Sequence, residues 1–107
     1  MQFTVIFVVV ERGKAEGIVE EAKEAGASGA TIFYGRGTGE KEFKKFFNLH
    51  IESSKEVIFI LTEEDKQEPI IDALVRAGKL DDPGTGILFT VPVNHIMGLH
   101  HRKDLTT

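Results

Sequence analysis

Cysteine is absent from this sequence of 107 residues. Without thiols the chain has no disulfide framework, no thiolate metal site and no cysteine nucleophile. It also has no internal repeat of solenoid type and no low-complexity tract. A composition of 41% hydrophobic and 28% charged residues is typical of one globular domain, which we assign to residues 1–107.

An excess of basic residues is missing as well, because the net charge is −4. No global basic field therefore indicates nucleic-acid binding. Long hydrophobic runs are also missing, since the apolar run Phe3–Val10 meets Glu11 and Arg12 at once. This run is too short for a membrane span and wrongly flanked for a signal peptide, so we expect a cytoplasmic protein without direct membrane insertion.

Strand-like and helical segments alternate along the chain. Runs rich in β-branched and aromatic residues predict strands over 3–10, 29–35, 55–62 and 86–93. Apolar residues at helical spacing predict a helix within 13–27 that stops at Gly26, and one within 63–80 that begins at Pro69 and closes at Gly78. Pro92 cannot donate to a ladder, which places the last strand at a sheet edge or near its end. The order β-α-β-β-α-β predicts a ferredoxin-like α+β sandwich.

Both faces of the first and third predicted strands are apolar. Phe3, Val5, Phe7 and Val9 alternate with Thr4, Ile6, Val8 and Val10, and Val57, Phe59 and Leu61 alternate with Ile58 and Ile60. Right-handed crossovers place both helices on one face of the sheet, which leaves the other face without cover. Because apolar surface gains about 25 cal/mol per Å² on burial, we expect another subunit to cover that face and the protein to be an obligate oligomer.

Two glycine-rich stretches, YGRGTG at 34–39 and PGTGI at 83–87, lie beside strand ends. One interpretation is anion binding, because glycines let backbone N–H groups approach phosphate oxygens. The other is that the first stretch forms a bulge and the second a turn. Neither stretch matches a Walker loop or a dinucleotide fingerprint, and the sequence leaves both interpretations open. The candidate anion-binding residues are Gly35, Arg36, Gly37, Thr38, Gly84, Thr85 and Gly86.

A histidine-rich segment, HIMGLHHRK at 95–103, has three interpretations. It forms a solvated tail, or it contacts a phosphate through Arg102 with His100, or it holds a metal. Neighbouring His100 and His101 point to opposite faces of an extended segment, so they are poorly placed to share one metal ion. We therefore predict no firm metal site.

The segment 39–54 joins two antiparallel strands for which a two-to-five-residue hairpin normally suffices. Its aromatic residues have helical spacing and alternate with lysines, which favours docking on a partner or a neighbouring subunit over packing on the chain itself. We predict that this segment orders when ligand or partner binds. The candidate docking residues are Lys41, Phe43, Lys44, Lys45, Phe46 and Phe47.

Over nearly its full length the chain resembles the P-II signal-transduction family, through the blocks GASGATIFYGRGTG, KEVIFILT and AGKLDDPGTGILFTVPV. The resemblance implies a compact homotrimer of ferredoxin-like subunits with inward-facing sheets and an adenine nucleotide in each inter-subunit cleft. It also implies that 36–54 is the effector loop, 79–86 the nucleotide-cradling loop and 94–107 the C-terminal segment. The implied partner is a transporter, an enzyme or a transcription regulator.

Several positions depart from the pattern of nitrogen-regulating P-II proteins. Ile87 stands where those proteins have a phosphate-holding lysine, and Gly39 where they have a glutamine that completes a magnesium–2-oxoglutarate site. Gly98 and His100 are nearest to their C-terminal arginine pair, with Arg102 just beyond. No tyrosine occurs in 36–54, which excludes modification of a loop tyrosine. The chain therefore resembles a divergent branch of the family.

These observations predict a regulatory protein without catalytic activity, whose ligand shifts the population of loop conformations. The resemblance implies a role in nitrogen or related metabolism. No nucleophile–base pair, zinc motif or carboxylate dyad is evident in the sequence. The alternative is a metal-handling trimer similar to the CutA family, in which histidines bind copper or zinc.

Overall fold

The computed structural model describes residues 2–37 and 54–99. Strand β1 (Phe3–Glu11) leads into helix α1 (Ala15–Glu24), and strand β2 (Thr31–Arg36) follows. Strand β3 (Ser54–Glu63) continues through a short 3-10 helix (Glu64–Lys66) into helix α2 (Gln67–Gly78), and strand β4 (Gly86–Val93) completes the sheet. The predicted order of elements and the ferredoxin-like α+β fold are confirmed.

All strand pairs in the sheet are antiparallel, and the order across it is β2-β3-β1-β4. Strand β4 is therefore an edge strand, as Pro92 predicts. Helix α2 begins at Gln67 instead of Pro69, so the proline occupies the first turn, where a helix N–H has no intrahelical partner. The short 3-10 helix lies directly before α2.

The two helices end with different backbone conformations. Helix α1 ends at Glu24, and Gly26 follows with φ +120°, which is a conformation that glycine adopts easily. Helix α2 ends at Gly78 as predicted, but the left-handed residue that closes it is Lys79, with φ 53° and ψ 41°. The backbone N–H groups of Lys79 and Leu80 donate to Arg76 and Val75, which satisfies carbonyls of the last turn.

The core lies between the sheet and the two helices. Ile6, Val8 and Val10 from β1 and Ile58 and Ile60 from β3 are at most 1% exposed. Helical residues close this layer from the other side, namely Ala15, Ile18, Val19, Ala22, Ile70, Ala73 and Leu74. The face of β1 that carries Ile6 is thus the one that the helices cover.

The opposite sheet face, which we call the open face, carries a row of aromatic rings across all strands. Phe33, Phe59, Phe7 and Phe89 follow one another with ring-centroid distances of 5.9, 5.9 and 5.1 Å. Phe33 and Phe89 are each 44% exposed, and Ile87 is 58% exposed. Within the described residues this apolar surface has no full cover, as the alternation of the strands predicts.

Candidate ligand-binding site

The described part of the first glycine stretch, 34–37, and the second stretch, 83–87, lie at the same end of the sheet. Arg36 at the end of β2 pairs with Ser54, Glu11 pairs with Lys55, and Val10 pairs with Gly86 at the start of β4. Because β2 and β4 are opposite edges, three strand spacings separate the stretches, which is about 14 Å. One subunit therefore aligns the two stretches without closing them around a common ligand.

Lys55 lies between the two glycine stretches. It faces Gly35 across the β2–β3 ladder, and a Cβ on Gly37 would lie 2.9 Å from the Lys55 Cε. The Lys55 Nζ lies 2.6 Å from the Glu11 Oε1 on the neighbouring strand. Sequence reasoning missed this lysine because its neighbours across the sheet depend on strand register. The one feature of the sequence that could have indicated a role was a lysine at the start of an apolar strand.

A pocket of about 270 Å³ lies beside Lys55, at the start of β4. Gly86 is required there by the fold itself, because a Cβ at this position would lie 2.6 Å from the Val9 carbonyl oxygen. Glycine at 86 therefore follows from close backbone approach, independently of any ligand. The residues that line this pocket are Val9, Val10, Glu11, Lys55, Gly84, Thr85, Gly86 and Ile87.

The loop between α2 and β4 is held in shape by hydrogen bonds of its own. The Thr85 hydroxyl donates to the Lys79 carbonyl, with an Oγ1–O distance of 2.7 Å, and the Asp82 carbonyl oxygen lies 3.0 Å away. The Asp82 N–H also donates to the Lys79 carbonyl. Since carbonyl oxygens already engage the Thr85 hydroxyl proton, this side chain shapes the loop.

A second pocket, of about 480 Å³, lies at the other end of β2. The chain segments Ser28–Thr31 and Met97–Leu99 line it together with Phe59 and Leu61 from the open face. It therefore combines an aromatic and aliphatic wall with polar surface. Such a combination is typical of sites for planar or partly apolar ligands.

Glu56 is a buried carboxylate that positions the turn after β1. Its Oε1 accepts hydrogen bonds from the backbone N–H groups of Gly13 (2.6 Å) and Ala15 (3.0 Å), while its residue is 8% exposed. Lys14 at the N-cap of α1 provides no side-chain cap, so Glu56 does this from a neighbouring strand. Sequence reasoning missed this role, although the alternation shared with Ile58 and Ile60 places Glu56 on the covered face.

Replacement of Glu56 by alanine is expected to lower the free energy of unfolding by about 2–3 kcal/mol, because two N–H groups at the start of α1 lose their acceptor. Glu56→Gln keeps an acceptor oxygen and should cost about 1 kcal/mol. Urea denaturation at one fixed protein concentration measures both effects. Glu20→Ala, at an exposed position of α1, is the control, and an equal midpoint for Glu56→Ala and Glu20→Ala would contradict the capping role.

Of the other predicted site residues, Arg36 is exposed at the end of β2 and pairs with Ser54. Thr38, His100 and Arg102 lie outside the described residues. The same holds for all the predicted docking residues: Lys41, Phe43, Lys44, Lys45, Phe46 and Phe47.

Neither a metal site nor a membrane span is found in the described part of the chain. Residues 2–37 and 54–99 contain no group of three histidine, cysteine, aspartate or glutamate side chains that could hold a metal ion. Of the histidines, only His95 lies in these ranges. No helix among these residues is long and apolar enough to cross a membrane.

Comparisons with known proteins agree with this architecture. The sequence model of the family described as nitrogen regulatory protein P-II matches residues 3–103. Among solved structures, the chain is similar to Arabidopsis thaliana PII bound to citrate, with a TM-score of 0.68 and 21% sequence identity. That match covers 86% of this chain and 78% of the Arabidopsis chain. No curated protein matches the sequence significantly.

Proposed function

This chain belongs to the nitrogen regulatory protein P-II family, and on that premise we propose that it binds an adenine nucleotide in the clefts of a homotrimer and thereby regulates a partner protein. P-II proteins are signalling proteins and not enzymes, and we extend this to the present chain. The observation that carries the ligand proposal is the position of Lys55 between the two glycine stretches.

The open face supports the trimer. Its row of phenylalanines and the flanking aliphatic residues form an apolar surface that covers one side of the whole sheet. Monomeric proteins rarely expose a continuous apolar surface of this extent. In a trimer with inward-facing sheets, three such surfaces bury one another, and the glycine stretches of neighbouring subunits meet at the sheet ends.

The geometry along β2 supports a nucleotide over a simple ion. The pocket lined by Thr31, Phe59 and Leu61 suits a purine base, because it has both an apolar wall and backbone hydrogen-bonding groups. From Thr31 to Gly37 an extended strand spans about 20 Å, which accommodates the ribose and phosphates of an extended nucleotide. The phosphates would then reach the backbone N–H groups of Gly35 and Gly37.

Charge for the phosphates comes from Lys55 and from residues that approach the same end of the sheet. We assign Arg36, Thr38, His100 and Arg102 to the phosphate side of the site, together with Gly84, Thr85 and Gly86 of a neighbouring subunit. The Arabidopsis PII structure contains citrate, an organic anion, and this supports an anionic ligand for the present chain.

The effector loop 36–54 carries the output in this proposal. Lys41, Lys44 and Lys45 would contact acidic groups of a transporter, an enzyme or a transcription regulator, while Phe43, Phe46 and Phe47 would bury apolar surface in the contact. Ligand in the cleft beside Gly37 would change the population of loop conformations that can dock.

A thermal-shift panel of ATP, ADP, AMP, cyclic AMP, citrate and 2-oxoglutarate, each with and without magnesium, tests the proposal. A nucleotide present at a hundred times its Kd adds about 2.7 kcal/mol to the free energy of unfolding and raises Tm by several degrees.

Lys55→Gln should weaken nucleotide binding about tenfold or more, because a charge-assisted contact is lost.

Glu11→Gln is the matched control for Lys55→Gln. Both changes break the same ion pair, but only one removes the cation, so Glu11→Gln should retain nucleotide affinity. Absence of a Tm shift with every nucleotide would refute the ligand proposal. An equal loss of affinity in both variants would show that the ion pair acts on structure alone.

A further inference from the structure

A groove of about 540 Å³ lies on the helical side of the molecule, between α1 and the C-terminal end of α2. The residues that matter for its chemistry are Lys14, Gly17, Glu21, Arg76, Lys79 and Thr85. Thr85 also lines the pocket beside Lys55. The loop that begins at Lys79 therefore separates this groove from the proposed nucleotide site.

The groove is basic although the chain as a whole is acidic. Lys14, Arg76 and Lys79 face one carboxylate, Glu21, whereas the net charge of the chain is −4. Within residues 2–37 and 54–99, none of these four side chains has an ion-pair or hydrogen-bond partner. Like charges that share a groove repel one another, and a bound anion would relieve that repulsion.

Helix stability does not account for this charge cluster. Arg76 in the last turn of α2 complements the helix dipole, but Lys14 lies at the start of α1, where a cation is unfavourable and where it provides no side-chain cap. Gly17, inside α1, costs about 1 kcal/mol relative to alanine. A Cβ on Gly17 would have no neighbour within 4 Å, so packing does not require glycine there. Both residues lower helix stability. Lys14 makes the groove basic, and Gly17 keeps it open.

We propose that this groove binds inorganic phosphate. Lys14, Arg76 and Lys79 supply charge for the phosphate oxygens, and the arginine fork suits a tetrahedral oxyanion in particular. Glu21 would repel an anion without a proton to donate, but it accepts a hydrogen bond from the P–OH group of hydrogen phosphate. Sulfate has the same shape and no such proton at neutral pH, so the groove discriminates between the two ions.

Isothermal titration of the full-length protein with inorganic phosphate and with sulfate, at constant ionic strength and neutral pH, tests the proposal. The wild-type protein should bind phosphate at least tenfold more tightly than sulfate. Arg76→Gln should weaken phosphate binding about tenfold, because a charge-assisted hydrogen bond is lost. Glu21→Gln should remove most of the preference for phosphate by admitting sulfate.

Two control variants test whether phosphate binds in the groove and not elsewhere on the protein. Lys23→Gln removes one cation from an exposed position of α1 that is not in the groove and should leave phosphate affinity unchanged. Lys55→Gln alters the proposed nucleotide site and should also leave the affinity of the groove for phosphate unchanged. The result of the phosphate titration therefore does not depend on whether the nucleotide proposal is correct. The proposal is wrong if phosphate does not bind, if Arg76→Gln and Lys23→Gln have equal effects, or if Lys55→Gln alone abolishes binding.

Discussion

Replacement of Phe7 by aspartate should dissociate the protein into subunits. Phe7 lies at the centre of the open face, with its ring 5.9 Å from that of Phe59 and 5.1 Å from that of Phe89. In the proposed trimer this position is buried between subunits, and an unpaired charge there costs several kcal/mol in each copy. Sedimentation equilibrium or light scattering at micromolar concentration should show about one third of the wild-type mass.

Val8→Asp is the matched comparison, because the neighbouring residue faces the helices and is 0% exposed within the subunit. This variant should be insoluble or unfolded, whereas the fold of Phe7→Asp should survive at least in part. Thr90→Asp, at an exposed position of the edge strand, should keep the wild-type mass. If Phe7→Asp also sedimented like the wild-type protein, the open face could not be the subunit interface.

Gly86→Ala should lower the free energy of unfolding by about 3 kcal/mol, because the added methyl group overpacks a rigid part of the subunit. Its Cβ would meet the Val9 carbonyl oxygen at 2.6 Å and the Val10 Cγ1 at 3.0 Å. The first of these neighbours is backbone of β1, an interior strand of the sheet, so the start of β4 must move. Since this part of β4 lines the pocket beside Lys55, nucleotide affinity should fall together with stability.

Gly29→Ala is the control for this substitution. A Cβ on Gly29 would have no neighbour within 4 Å, and its backbone is not in the left-handed region. Its free energy of unfolding, measured by urea denaturation, should stay within about 0.5 kcal/mol of the wild-type value. Equal stability of Gly86→Ala and Gly29→Ala would mean that the start of β4 moves at little energetic cost, and that the close approach to Val9 does not require glycine at position 86.

The elements of the fold could be predicted because each depends on local chemistry. Alternation in Phe3–Val10 predicts a strand that is apolar on both sides, and Gly26 and Gly78 predict the ends of the helices. Which face the helices cover could not be predicted, because both faces of β1 are equally apolar in the sequence. The packing of Ile58, Ile70 and Leu74 decides between them.

Of the residues that line the pocket beside Lys55, the sequence suggested Gly84, Thr85 and Gly86 but not Lys55 itself. Lys55 and Glu56 are neighbours in the sequence, yet one faces the glycine stretches and the other caps α1. Both residues also contact partners more than 40 positions away in the chain, Glu56 with Ala15 at a separation of 41 and Lys55 with Glu11 at a separation of 44. No local pattern carries that information, because strand register sets it.

The order of strands in the sheet also determines when β1 can form its hydrogen bonds to neighbouring strands during translation. β1 is the second strand from one edge, and its hydrogen-bonding neighbours are β3 and β4, which are made later. At ordinary elongation rates, on the order of ten seconds pass between synthesis of Glu11 and of Val93. During that time a strand with two apolar faces and two unpaired edges is exposed on the nascent chain. Slow codons between β2 and β4 would prolong this exposure.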